Sequence, residues 1–83
     1  MVRNYPNPFN SSTTITFDVR ETADVSIAVF NAIGQRVMNA NLPRLGASTH
    51  SYPWDASNAS TGMYFCVVNA GGVLAGRKLL LMR

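Results

Sequence analysis

Few side chains in this sequence could carry out covalent chemistry. A nucleophilic serine or cysteine would need His50, the only histidine, as its base, and Cys66 is the only cysteine. No motif surrounds His50, and Cys66 has no histidine or second thiol at metal-ligand spacing. A buried, inert thiol and an ordinary surface histidine are therefore favoured over a catalytic pair. We expect the protein not to be an enzyme.

Three carboxylates flank one polar stretch of the chain. Asp18, Glu21 and Asp24 follow one another at three-residue spacing, and carboxylate oxygens at such a turn could converge on Ca²⁺. The spacing is not that of an EF-hand loop. The alternative is a solvated turn whose charges discourage edge-to-edge pairing of strands. We predict no metal and no cofactor.

Aromatic side chains suggest a sugar-binding hypothesis. Tyr52, Trp54 and Phe65 could stack on sugar rings if they were exposed on a sheet. The alternative is that Trp54 covers the open end of the core, because so short a chain needs every aromatic side chain to fill it. Gly71 and Gly72 are not followed by the helix and lysine of a phosphate-binding loop, so they predict a hairpin turn.

Length and composition predict one folded domain over residues 1–83. A chain of this size buries only about 60% of its unfolded surface, which disfavours a deep catalytic cleft. With 47% hydrophobic and 13% charged residues, the chain is too apolar for intrinsic disorder. Its seven basic residues are scattered and the net charge is only +3. We therefore expect no nucleic-acid partner, which would need a clustered basic stripe.

No segment of the sequence has the properties of a membrane span or a signal peptide. The apolar run of residues 79–82 is far shorter than the roughly 18 residues that cross a bilayer. Residues 1–8 are polar and broken by prolines where a signal peptide has its apolar region. We expect no transmembrane segment, and we expect the signal peptide of an exported parent protein to lie upstream of this sequence.

Alternation of apolar and polar residues predicts β-strands. Ile15, Phe17 and Val19 share one face of a predicted strand. The strands are predicted at residues 13–19, 25–29, 36–41, 49–54, 63–69 and 73–82, of which 63–69 is the most apolar. Short strands, frequent turn signals and no helical periodicity indicate an all-β fold, an immunoglobulin-like antiparallel β-sandwich of about seven short strands.

Prolines divide the chain between these strands. Two X-Pro pairs predict that residues 1–12 form an extended opening segment, which Tyr5 and Phe9 anchor to a sheet edge. Pro43 cannot donate a backbone hydrogen bond, so it predicts a loop over residues 42–46.

Several short motifs, in their order along the chain, resemble those of a known family. The segments are residues 4–10 with 12–15, 29–37, 54–55 with 61–65, and 70–72 with 77–81. The motif residues are Asn4, Tyr5, Pro6, Asn7, Pro8, Phe9, Asn10, Gly34, Trp54, Asp55, Gly62 and Tyr64. They resemble the type A C-terminal sorting domains of the type IX (Por) secretion system of Bacteroidetes. The chain departs from the family at Ser11, where a second proline is common, and this should only loosen the opening segment.

The resemblance implies a non-catalytic secretion signal. It implies a cargo protein joined to the N-terminal side, recognition of the domain by the type IX translocon in the periplasm, and passage across the outer membrane. It also implies that a sortase-like cysteine peptidase then cleaves upstream of the domain and attaches the released protein to surface lipopolysaccharide. The protein is therefore expected in the periplasm during transit, and afterwards secreted or at the cell surface.

The last predicted strand is the candidate for partner recognition. Arg77 and Lys78 place charge beside the apolar Leu79, Leu80 and Leu81, so an end strand could offer both a backbone edge and side chains for β-augmentation by the translocon. The alternative is that these leucines complete the core.

Two other classes of function remain open from the sequence. Flagellar hook-capping proteins carry a similar immunoglobulin-like domain with related Gly-x-x-Tyr and Trp-Asp features, which predicts a structural spacer. A carbohydrate-binding accessory module of a secreted glycoside hydrolase is the third hypothesis, and it predicts glycan retention that is lost on Trp54→Ala.

Overall fold

The computed structural model describes residues 2–82, which form seven β-strands in two packed sheets. The strands are β1 (Val2–Tyr5), β2 (Ser12–Val19), β3 (Ala23–Asn31), β4 (Arg36–Leu45), β5 (Ser48–Asp55), β6 (Gly62–Ala70) and β7 (Val73–Leu81). One sheet has the order β1-β2-β5 and the other β4-β3-β6-β7, and neighbouring strands pair antiparallel. The predicted immunoglobulin-like antiparallel β-sandwich is confirmed.

The core lies between the two sheets and follows the alternation of the strands. Ile15 and Phe17 of β2 face Val25, Ile27 and Val29 of β3, and all five are fully buried. Burying one such side chain stabilises the fold by about 1.5–3 kcal/mol. The predicted inward face of β2 is therefore confirmed, and β3 follows the same alternation.

The predicted loop over residues 42–46 is wrong, because β4 continues through Pro43 to Leu45. Leu42 pairs with Val25 and Leu45 with Ala23, so an extra residue bulges out of β4 between these pairs. Proline is tolerated there because β4 is an edge strand and a bulge needs no ladder hydrogen bond.

The opening segment is more regular than predicted. Val2–Tyr5 forms β1 and pairs with β2, with Val2 opposite Phe17. Phe9 is buried and anchors the segment as predicted, but Tyr5 is 83% exposed. The prediction that Tyr5 is an anchor is wrong because Asn4 occupies the inward position of β1, and successive side chains of a strand point to opposite faces.

Two hairpin turns connect strands of the four-stranded sheet, and the one at Gly71 and Gly72 is as predicted. Between β3 and β4, the Asn31 side-chain oxygen accepts the backbone N–H groups of Ile33 and Gln35. Gly34 in this turn has a φ of 89°, a conformation that glycine adopts without steric cost. The β6–β7 turn contains Gly71 and Gly72, both with positive φ.

Candidate recognition surface

Cys66 and His50 do not form a catalytic pair in the described part of the chain. Cys66 is fully buried on β6, and burial raises the pKa of its thiol to about 11. The thiol is therefore protonated at neutral pH, where only the thiolate is a good nucleophile. His50 lies on β5 in the other sheet, where its ring packs on Phe17 and its Nε2 is 2.7 Å from the Gly46 carbonyl oxygen.

The carboxylates around the first turn bind donors of the chain itself. Asp18 accepts a 2.8 Å hydrogen bond from Thr49 Oγ1 and lies 3.5 Å from Arg3 Nη1. The Thr49 bond, followed by Arg3, lowers the pKa of Asp18. Asp24 accepts the backbone N–H of Arg44 at 3.0 Å. Within residues 2–82, no three His, Cys, Asp or Glu side chains are grouped so that they could hold a metal ion.

Three motif aromatics from separate parts of the chain meet at one end of the sandwich. The Trp54 ring lies 5.8 Å from that of Phe9 and 5.5 Å from that of Tyr64, in tilted and edge-to-face arrangements. Tyr64 donates its hydroxyl to the Ser60 carbonyl at 2.6 Å. Because Trp54 is only 6% exposed, its ring is part of the core and offers no platform for a sugar.

The motif residue Asn7 binds the backbone of the last strand. Its side chain donates to the Lys78 carbonyl at 3.3 Å and accepts the Leu80 N–H at 3.1 Å. Phe9 continues this pairing through its backbone, which donates to Leu80 at 3.0 Å and accepts from Met82 at 2.8 Å. The opening segment therefore occupies the outer edge of β7 from Lys78 to Met82.

The motif residue Asn4 links the two sheets. It is buried on β1 and donates to Thr13 Oγ1 and to the Pro6 carbonyl. Thr13 also donates to the Pro6 carbonyl at 2.8 Å. Arg77 reaches across from β7 and donates from Nε to Asn4 Oδ1 at 3.4 Å. Asparagine fits this position because its amide both donates and accepts, which satisfies a buried polar site.

The structure divides the five residues predicted for partner recognition. Leu79 and Leu81 are fully buried and belong to the core, as the alternative interpretation has it. Lys78 and Leu80 face outward, and Arg77 is exposed while bonded to Asn4. The opening segment already occupies this edge from Lys78 onward, so β-augmentation by a partner would have to displace it there. The surface left in this part of β7 consists of side chains.

The remaining motif residues shape turns or lie on the surface. Asp55 accepts the Ser57 N–H at 3.0 Å, a bond that lowers the pKa of its carboxyl group. Gly62 begins β6 with a φ of 154°. Pro6, Pro8 and Asn10 are exposed.

Two further features bear on recognition. Ser11, which stands where the family often has a second proline, accepts the Ala56 N–H with its backbone carbonyl at 2.8 Å.

No helix capable of crossing a membrane occurs among the residues that the structure describes.

Sequence reasoning found the motif residues but not what Asn7 and Asn4 do. Asn7 binds a strand 71 residues away, and no local pattern encodes such a contact. The sequence does show asparagines between prolines in residues 4–10. Such a segment cannot satisfy its own backbone groups by regular pairing, so it needs hydrogen-bond partners elsewhere in the chain.

A family model described as a secretion system C-terminal sorting domain matches residues 3–82, which is nearly the whole chain. No curated protein matches the sequence.

Proposed function

The chain belongs to the C-terminal sorting domain family of the type IX secretion system, and from that membership we propose that it directs a larger exported protein across the outer membrane of a Gram-negative bacterium. The cargo is joined to its N-terminal side. Members of the family serve as sorting signals and are generally non-catalytic. The domain is thus the sorting signal by which the secretion system recognises its cargo.

The placement of the motif supports recognition of a folded domain rather than of a linear peptide. Phe9, Trp54 and Tyr64 are buried in the aromatic cluster, and Asn4 and Asn7 form hydrogen bonds inside the domain. A receptor cannot read side chains that the fold has enclosed. The enclosed motif residues therefore act on sorting by building the sandwich, and the translocon reads the surface of the folded domain, on which the exposed motif residues Tyr5, Pro6, Pro8 and Asn10 lie.

The proposed path and partners follow from this role. The cargo crosses the inner membrane by an upstream signal peptide, the domain folds in the periplasm, and the translocon carries the cargo to the cell surface or the medium. A sortase-like cysteine peptidase then cleaves the precursor. We place that cleavage upstream of β1, since β1 is paired with β2 along its length and is a poor protease substrate while folded.

The unit of sorting is proposed to be the whole of residues 1–83. The described strands form one sandwich with one core. Residues 1 and 83 lie outside the described part. Removing residues 78–83 would delete Leu79 and Leu81 from this core, so truncation tests folding and recognition together.

The glycan-binding and spacer hypotheses make other predictions. Glycan binding through Trp54 needs an exposed ring, whereas the ring packs between Phe9 and Tyr64. A spacer module would work at an internal position of a protein and would not depend on a translocon. No observation favours either hypothesis over sorting.

The test is an export assay. The domain is fused to the C-terminus of a periplasm-targeted fluorescent reporter in a type IX-competent bacterium, and the reporter outside the cells is quantified. The control is the same fusion in a translocon-deficient strain. We expect export only in the competent strain. Reporter that stays in the periplasm of both strains would contradict the proposed function.

A further inference from the structure

The outer faces of the two sheets differ in chemistry. The outer face of the three-stranded sheet is polar, with Thr16 bonded to Ser51 and Asp18 bonded to Thr49. On the four-stranded sheet, β6 is apolar on both faces. Its inward residues are Tyr64, Cys66 and Val68, and its outward residues are Met63, Phe65 and Val67.

The outward residues form a continuous apolar stripe. Phe65 pairs with Phe30 of β3, and Met63 pairs with Leu80 of β7. Phe65 is 44%, Met63 40% and Leu80 37% exposed. Val67 lies opposite Gly76, which has no side chain to cover it. We call Phe30, Met63, Phe65, Val67 and Leu80 the outer stripe.

A cation lies at each end of the stripe. The register places Arg36, Phe30, Phe65 and Lys78 in one row across the four strands. Neighbouring strands are about 4.8 Å apart, so the backbones that carry the two cations are separated by about 14 Å. The Arg36 guanidinium lies over the Phe30 ring, 5.9 Å from its centroid. Neither Arg36 nor Lys78 forms an ion pair with an acid of the described chain.

This chemistry selects one kind of partner. Phe65 could stack on a sugar ring, but the apolar side chains around it offer no hydrogen bonds to sugar hydroxyls, so the stripe fits an apolar protein surface better than a glycan. A second copy of the chain would set cations against cations. Among the described residues, Asp24 is the only acid in an outward position of this sheet. It lies six residues along β3 from Phe30, about 20 Å away, and binds Arg44.

We propose that the outer stripe is the surface by which this domain docks on its translocation partner, a protein surface that presents apolar side chains between two carboxylates about 14 Å apart. The inference rests on the proposed sorting function and names the face that serves it. The aromatic and aliphatic side chains supply the buried contact. The two cations fix the orientation and speed the encounter.

The export fusion tests the stripe with two variants and matched controls. Phe65→Ala removes the central side chain, and its control Val73→Ala removes an exposed apolar side chain at the other end of β7, outside the motif segments. Arg36→Glu/Lys78→Glu reverses the end charges. We expect each stripe variant to lower the export rate at least about thirtyfold, the size of a hot-spot loss, and Val73→Ala to lie within about twofold of the wild type.

A second control matches the charge change. Arg20→Glu/Arg44→Glu alters the net charge equally, at exposed positions away from the stripe, and we expect it to export like the wild type. Circular dichroism of each purified variant establishes that it is folded. Failure of the wild-type fusion contradicts the sorting function itself. Normal export of the wild type and of both stripe variants overturns the stripe alone.

Competition separates docking from passage. The domain without cargo, overproduced in the periplasm, should reduce export of the wild-type fusion, and the Arg36→Glu/Lys78→Glu domain should not. Equal competition by both would overturn the proposal. So would binding of the purified domain to phosphatidylethanolamine–phosphatidylglycerol vesicles that is lost in the same double variant, since the stripe would then face a membrane.

Discussion

Replacing Asn7 with alanine tests how the opening segment is held on the last strand. The change removes the donor to the Lys78 carbonyl and the acceptor of the Leu80 N–H, at 3.3 and 3.1 Å. A net hydrogen bond contributes about 0.5–1.5 kcal/mol, and water can reach both freed groups at this exposed edge. We therefore expect a loss of about 1–2 kcal/mol in the free energy of unfolding.

In a domain of this length the loss is measurable by thermal melting. Each kcal/mol shifts Tm by about 4–8 °C for 60–100 residues, so Asn7→Ala should lower Tm by about 5–15 °C. Asn10→Ala is the matched control, because Asn10 is exposed and no side-chain hydrogen bond of Asn10 occurs among the described residues. Equal Tm values for the two variants would refute the role given to Asn7.

An Asn7→Asp variant refines the same test. The carboxylate keeps the acceptor for the Leu80 N–H, but it loses the donor and places a negative oxygen near the Lys78 carbonyl. Its Tm should lie at or below that of Asn7→Ala near neutral pH. A Tm equal to the wild type would show that the donor contributes nothing.

Three other predictions follow from buried or bonded groups. Trp54→Ala should destabilise the domain by about 3–5 kcal/mol, measured by denaturant unfolding, because it empties the aromatic cluster. Cys66 should react with a thiol reagent at neutral pH only when the domain unfolds, since burial raises its pKa to about 11. Thr49 and Arg3 lower the pKa of Asp18 in the folded state. The stabilisation by Asp18 should therefore be fully present above its unfolded pKa of about 4, and Tm should decrease as the pH falls from there through the folded pKa.

Each of these three predictions has an outcome that would contradict it. Unchanged stability of Trp54→Ala, together with loss of glycan retention, would favour the sugar-binding hypothesis. Rapid labelling of Cys66 in the native domain would contradict its burial. In an Asp18→Asn variant, Tm should decrease less on acidification than it does in the wild type. An identical pH dependence of Tm in the two proteins would contradict the Asp18 interactions.

The sequence predicted the two sheets because alternation is a local signal. Ile15, Phe17 and Val19 lie on the inward face as the pattern indicates. The loop predicted at Pro43 is wrong because a bulge on an edge strand removes the need for the missing N–H of proline, and the edge position of a strand depends on the whole topology. The prediction for Tyr5 failed because the inward face of so short a strand is set by its register with β2.

The recognition surface was harder to predict than the fold. Residues 63–69 were identified as the most apolar strand, a pattern that indicates apolar residues on both faces of a strand. Which outward residues meet Phe65 depends on strand order, and β3 and β7 flank β6 only in the folded sheet. For the same reason, the leucines of β7 could not be divided into core and surface until the register with β6 was known.

The central claim is that this chain sorts its cargo as a folded domain, and one comparison tests it most directly. The exported fraction of the reporter is measured in a type IX-competent strain for the wild-type fusion and for Ile27→Asp, which places a charge in the core at a position outside the motif segments and the last strand and is expected to unfold the domain. Translocon-dependent export of the wild type and none of the variant is the predicted result. Equal export of both would mean that a linear segment is the signal, and would contradict the account.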